Sequence, residues 1–445
     1  MSEMNWRQLL CAERYGSHRV ASGKRESELR SEFERDGGRI LYSSAFRRLQ
    51  DKTQVFPLGR NDYVRTRLTH SLEVQNVGRS LGLAVGEVLC GRKEVQEVGV
   101  TPSGVASIVA AACLAHDIGN PPFGHSGEEA LLRALERHAR PGEARPFEGN
   151  AQGFRLLSRT ADPMEGRGLK LTAAVLAAFM KYPCSEDYRQ KVKSGEITCV
   201  NQLECKKFGF IAADEEAACW VAEKTGLLRR TMTGEPLCFC RHPLAYLMEA
   251  ADDMSYLIAD VEDAFMCGII GYEEAREHLL AFLGKVPEYL KILEGGSQEA
   301  EAIHYLRAMA IGACIEAVTR TFLEHEEELL AGRMSLSLMA ASPLGEAYRN
   351  VSAFSVERIY QAPQVESVEV MGFQVIDALV AVFMEWVDEP TSAMGSKLGR
   401  LLGVRVPPEG KENRDVRLQY MLDDISGMTD SFALETYRRL YGMMP

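Results

Sequence analysis

The run GVASIVAAACLA at 104–115 is apolar on every side and ends directly in His116 and Asp117. A helix that is hydrophobic all round belongs inside a protein, and its alanines let neighbouring helices approach closely. The chain must therefore be built around this segment. Gly119, Pro121 and Pro122 stop it, which places the His-Asp doublet in its last turn. A carboxylate there is disfavoured by the helix dipole, so Asp117 calls for a compensating cation, and a bound metal is the expected one. A surface His-Asp pair does not fit so apolar a lead-in.

Helical periodicity dominates the rest. Apolar residues recur at three- and four-residue spacing in 72–90, 104–117, 127–138, 168–181, 212–228, 243–265, 299–329 and 367–388. Strand signals are confined to 197–200 with 208–211, a small hairpin, and to 365–370. The expected class is all-α with this minor β-hairpin. Loops are predicted near Gly37-Gly38, Pro141–Pro146 and Gly295-Gly296-Ser297. The last divides the 445 residues into a catalytic core, 1–295, and a C-terminal helical lobe, 296–445.

Other histidines and acids fall on such helices. His70 shares a face with Val74, Val77 and Leu81 and is therefore buried. A lone buried histidine is usually a satisfied core residue; a second histidine motif on another buried helix favours a metal. In 243–265, Leu244, Met248, Asp252 and Tyr256 stand one turn apart, with Asp260 a turn further. A buried acid in line with Leu244 and Met248 is costly unless paired or coordinated, so Asp252 reads as a ligand. Tyr256 and Asp260 extend the polar stripe to where a sugar hydroxyl can bond. Glu249, Asp253, Glu262 and Asp263 read as a solvent-facing acidic strip. Ser126 and Glu129 match a capping box, which sets His125 just before a helix and Glu128 in its first turn. There the pair can serve as acid and positioning base. Taken alone, His125 is more often a cap neighbour. Two histidines with two aspartates suit a hard or borderline divalent ion, and hydrolysis at phosphorus is the leading chemistry.

A net charge of −12 argues against a surface coated for nucleic-acid binding. Between Arg39 and Arg67, however, Arg39, Arg47, Arg48, Lys52, Arg60, Arg65 and Arg67 face only Asp51 and Asp62. Such a basic strip suits a polyphosphate entering at one mouth. The eleven cysteines include no CxxC pair and read as reduced thiols, with Cys113 a core residue. No run reads as the roughly 18 apolar residues of a membrane span, and no export signal opens the chain, so a cytoplasmic protein without membrane contact is expected.

These segments resemble the HD-domain phosphohydrolases, whose signature is H…HD…D, and more closely the bacterial deoxyguanosine triphosphate triphosphohydrolases and their dNTPase relatives. The resemblance is carried by DGGRILYSSAFRRLQDKTQVFPL (36–58), RTRLTHSLEVQNVGR (65–79), AHDIGNPPFGHSGEEA (115–130), FEGNAQGFRLL (147–157), MEAADDMSYLIADVEDA (248–264) and ISGMTDSFA (425–433), in the family's order. It implies an HD-type helical bundle with a metal, Mg²⁺ or Mn²⁺, on His70, His116, Asp117 and Asp252. His125 would be the catalytic histidine, supported by Glu128. Arg67, Lys181, Tyr182 and Lys207 would meet phosphate, and Gln54 and Tyr256 would border the sugar, with Asp260 accepting from its 3′-hydroxyl. Tight packing there would exclude a 2′-hydroxyl. The implied reaction is attack of water on the α-phosphorus of a dNTP, releasing deoxynucleoside and tripolyphosphate. The resemblance further implies a homo-oligomer, hexamer or tetramer, and allows a single-stranded DNA contact that the residues do not predict independently.

There are departures. The stretch between the His-Asp motif and FEGN is shorter than in long members, and Ser431 replaces a commonly aromatic, basic or apolar residue. Arg400 and Arg417 are the candidates for the family's C-terminal arginines. The competing readings are another HD-type hydrolase, such as a nucleotide monophosphatase or cyclic-dinucleotide diesterase, and a non-catalytic nucleotide sensor. No Gly-Tyr-Pro tripeptide supports the diesterase, and all four ligand positions are present against the sensor.

Overall fold

In the computed structural model the described residues are 3–16, 29–56, 64–138, 140, 146–159, 168–284, 299–402 and 413–443. The architecture is all-α. The helices that position the site are α1 (Glu32–Leu41), α2 (Arg67–Leu89), α3 (Pro102–Ala115), α4 (Gly124–His138), α5 (Gly149–Ser158), α6 (Ala173–Phe179), α7 (Pro243–Met266), α8 (Glu299–Glu324), α9 (Pro363–Asp388), α10 (Arg414–Gly427) and α11 (Asp430–Leu440).

The apolar run is the centre. Thr101 caps α3 and Pro102 occupies its first turn, and every residue from Gly104 to Ala115 is buried. Against it lies α2, whose Gly78, Gly82 and Gly86 make a smooth stripe. A Cβ at Gly82 would sit 2.8 Å from the Ala106 Cα, so only glycine permits this approach. Helices α6, α7 and α8 complete the first core, which continues to Val365. A second core joins the outer face of α4 (Ala130, Leu131, Ala134, Leu135) to α9, α10 and α11. Helix α4 thus belongs to the second core, while its N-terminal Gly124 lies against Arg67 of α2, a helix of the first.

Several expectations are corrected. Among the described residues there is no strand: 197–200 and 208–211 form no hairpin, and only isolated bridges such as Ser185 with Phe210 occur. Residues 365–370 lie inside α9, where continuous α-helical hydrogen bonding from Pro363 overrides their β-branched character. Gly37 and Gly38 lie within α1, whose capping box at Ser31 and Glu34 starts the helix early enough to carry both. The 168–181 helix is shortened to α6 because Thr172 caps it. Helix α4 begins at Gly124, so Ser126 lies inside its first turn rather than capping it. The loops placed at 141–146 and 295–297 fall on, or mostly on, residues outside those described.

Helix α9 is, among the described residues, long and apolar enough to cross a membrane by length and composition, with a mean hydropathy of 1.7 over its best window. Its Val375, Ile376, Leu379, Val380 and Phe383 face is instead packed in the second core. Cys199 and Cys205 are joined by a disulfide where reduced thiols were expected, because the short helix Gln202–Cys205 folds the six-residue span back on itself. The other nine cysteines are free, with Cys113 fully buried in the first core.

Candidate metal centre

Thr66 caps α2 by accepting from the Thr69 amide, which sets Arg67, His70 and Ser71 on the inward face. His116 follows the last residue of α3, and its Nδ1 donates to the Cys113 carbonyl at 2.7 Å. That bond orients the imidazole so that Nε2 faces away from the helix. From α7, Asp252 Oδ1 lies 3.2 Å from His70 Nε2 and 3.3 Å from His116 Nε2. The two imidazoles meet edge to face at 5.1 Å. The ligand atoms of His70, His116 and Asp252 all lie within 4.8 Å of one another.

Asp117 stands beside this trio, its Oδ1 3.5 Å from His116 Nε2. Its compensating cation is Arg67, whose Nη1 donates to Oδ2 at 2.7 Å; the metal expected in that role is not needed for it. Asn120 Nδ2 donates to Oδ1 at 2.5 Å. Burial raises the Asp117 pKa, but Arg67, His116 and His70 outweigh it and hold the carboxyl at about 2. Burial likewise works against charge on Asp252, which His116 and His70 nevertheless hold well below the usual range.

The buried Nε2 of His116 makes no hydrogen bond, so a lone-pair acceptor of positive charge fits there. Two imidazoles and flanking carboxylates are the donor set of a borderline or hard divalent ion. Burial pulls His116 down, yet Asp117 and Asp252 outweigh it and push it up to about 9. An ion that takes Nε2 must displace that proton. Metal uptake at pH 8 is therefore expected to release close to one proton, and affinity should fall up to about tenfold per pH unit below about 9. Calorimetry in two buffers of different ionisation enthalpy checks this; uptake without proton release would contradict it.

The HD domain family matches residues 67–176, which include His70, His116, Asp117, His125 and Glu128, and the phosphohydrolase-associated domain matches 338–439. A deoxyguanosinetriphosphate triphosphohydrolase-like protein of Synechocystis sp. is 37% identical over 99% of this chain and 100% of its own length. A protein of the same description from Pseudomonas aeruginosa is 35% identical over 99% of both. The deoxyguanosinetriphosphate triphosphohydrolase of Yersinia enterocolitica is 31% identical over 99% of both. The chain belongs to the HD-domain deoxyguanosinetriphosphate triphosphohydrolase family. It is a hydrolase.

Around the trio of this family member lie three further groups. His125, whose side chain is 77% exposed, has Nδ1 3.8 Å from Glu128 Oε2. Lys207 Nζ bridges Glu128 at 3.2 Å and Glu148 at 3.0 Å. Burial raises both carboxyls; His125 and Lys207 overcome it at Glu128, whereas the charge of Glu128 lifts Glu148 further. Lys181 Nζ lies 3.5 Å from Glu249 Oε1, and the buried Arg241 holds the other oxygen at 2.5 Å while lying over the Tyr182 ring. Tyr256 stacks on Tyr360 at 5.8 Å, and the Tyr360 hydroxyl donates to Asp260 Oδ2 at 2.7 Å. Gln54 is half-buried, with its Oε1 buried and unpaired.

The acidic strip is not solvent-facing. Glu249, Glu262 and Asp263 are buried, and Asp253 is half-buried. Each has a partner: Arg241 for Glu249, Arg65 for Glu262 and Asp263, and the Tyr348 hydroxyl for Asp253. The basic strip is dispersed for the same reason. Arg39 binds the Leu169 carbonyl and Lys52 two backbone carbonyls, while Arg60 lies outside the described residues. Arg417 is buried on the Val387 carbonyl, and Arg400 is exposed. Glu148, Tyr360 and Asp430 were missed. Glu148 and Asp430 fall inside the FEGN and ISGMTD segments, where the sequence assigns neither a role, and Tyr360 left no trace.

Proposed function

We propose that this hydrolase cleaves deoxynucleoside triphosphates at the α-phosphorus, giving deoxynucleoside and tripolyphosphate. The observation that carries the reading is the convergence of His70, His116 and Asp252, with an unpaired Nε2, beside the cations Arg67 and Lys181. A divalent ion on these residues, with Asp117 as the proposed fourth ligand and Mg²⁺ or Mn²⁺ as the proposed ion, supplies Lewis-acid charge and an activated water. Arg67, Lys181, Tyr182 and Lys207 are the proposed groups that hold phosphate and offset the charge growing on its oxygens. His125, oriented by Glu128, protonates the departing 5′-oxygen.

The sugar would rest against Gln54 and the Tyr256–Tyr360 pair. With Asp260 already accepting from Tyr360, the proposed 3′-hydroxyl contact uses its other oxygen or displaces that bond. The relatives named for dGTP support that nucleotide as the first to test. The division into a catalytic core, 1–295, and a C-terminal lobe, 296–445, is kept as part of this proposal although the first packing core runs on to Val365, and association with further copies is proposed on the resemblance.

All four dNTPs, singly and mixed, with Mg²⁺ or Mn²⁺ and products resolved by anion exchange, test the reading. Tripolyphosphate is expected, and GTP should turn over at least about tenfold more slowly than dGTP, the discrimination of one well-packed group. Orthophosphate from dGMP without tripolyphosphate from any dNTP would move the assignment to a monophosphatase. Equal rates for GTP and dGTP would remove the sugar contact.

A further inference from the structure

The ISGMTD segment lies far in sequence from the metal centre, yet its polar atoms are spent on the two segments that border it. Asp430, the first residue of α11, is buried and accepts three hydrogen bonds. Thr53 donates its amide at 2.8 Å and its hydroxyl at 2.6 Å to Oδ2, and the Phe123 amide donates to Oδ1 at 2.8 Å. Alongside, Lys52 Nζ donates to the carbonyls of Asn120 at 2.6 Å and Ser426 at 2.8 Å. Arg48 reaches the Gly427 carbonyl at 3.1 Å.

Each bonded residue is one short step from the chemistry. Thr53 precedes Gln54 and pairs with Thr66, the cap of α2. Asn120 holds Asp117. Phe123 has φ +63°, a left-handed conformation costly for an aromatic residue, and it is two residues before His125. Gly124, also left-handed, passes so close to Arg67 that a Cβ would lie 2.8 Å from its Nη2. A buried carboxylate is well suited to hold such a turn, since its charge-assisted bonds to N–H and O–H are strong.

We propose that Asp430 is a positioning residue for the hydrolysis: from the C-terminal lobe it fixes Thr53 and Phe123, and through them the turn that aims His125. This rests on the phosphohydrolase reading of the site. Asparagine in its place has a single acceptor oxygen for three donors, while volume and burial are kept.

The test is Asp430→Asn in the full chain, read by steady-state kinetics with the best dNTP, by manganese stoichiometry and by amide hydrogen exchange. Exchange around Thr53 and Phe123 should accelerate about tenfold, with α3 and α7 as protected as in the wild type and manganese retained. The kcat should fall about tenfold to a hundredfold with KM within about threefold, because a misplaced catalytic group costs rate more than binding. Wild-type kcat in the variant would overturn the proposal. So would a loss of rate accompanied by lost manganese and by uniform exchange through α3 and α7, which marks a strut of the whole fold. Should Asp430→Asn not fold, Thr53→Val, which removes one donor, should lower kcat at least about threefold and Thr53→Ser restore it; equal rates in both would overturn it. A wild-type protein inert toward every dNTP would sink the functional reading instead, and the exchange and manganese measurements judge the clamp without substrate.

Discussion

Asp252→Ala should lose bound manganese and turnover together. Asp252 is the one carboxylate in the compact trio, and its Oδ1 stands within 3.3 Å of both imidazole nitrogens. Without it, the two imidazoles and the proposed ligand Asp117 remain, one carboxylate short for an ion that prefers oxygen. Asp117 does not make up the loss, since it is already counted as a ligand and shares its oxygens with Arg67 and Asn120. Removing a Lewis acid worth several kcal/mol predicts a fall of at least about 10³-fold. Metal content after dialysis, measured beside dNTP turnover, decides the matter. Full manganese stoichiometry in the variant would place the ion elsewhere. Circular dichroism guards against the trivial explanation, because Asp252 is only half-buried and its loss opens no core cavity.

The central helix and the His-Asp doublet at its end were legible for a simple physical reason. An apolar run has one place to go, and a polar doublet at its end goes with it. His70 and Asp252 were legible by the same logic, as polar groups in line with Val74, Val77, Leu81 and with Leu244 and Met248. What periodicity cannot show is the partner across the interface. Glu262 and Asp263 look like surface acids until Arg65 arrives from α2's approach to bind both. Glu249 likewise meets Arg241, fixed by its contact with Leu203 and by the Tyr246 ring. The cation facing Asp117 was expected to be a metal because Arg67 lies 50 residues away in the chain. The absent hairpin has a related cause. Short β-branched runs make strands only when a matching edge is presented, and Phe210 finds Ser185 for a single bridge instead. Asp430 and Tyr360 act on residues more than 90 positions away, so periodicity gave neither a role, although Asp430 lies in the ISGMTD segment.

His125→Ala should keep the metal and lose about 10²–10⁴-fold in rate, the usual cost of removing an acid-base group. The structure separates the two effects because His125 is not among the three clustered ligands and points from the start of α4 with its side chain exposed. The loss should fall in kcat, with KM little changed, since the cations proposed to hold phosphate are untouched. Glu128 is kept anionic by His125 and Lys207 against the effect of its burial, so it can orient the imidazole. Two groups acting as one unit are not additive: His125→Ala combined with Glu128→Gln should be slower than His125→Ala alone by no more than about twofold. If the double variant instead loses the product of the two single factors, the residues act independently and Glu128 serves the phosphate cradle through Lys207 rather than the histidine. If His125→Ala loses manganese, its place is in the ligand shell and the acid must be sought among the remaining groups.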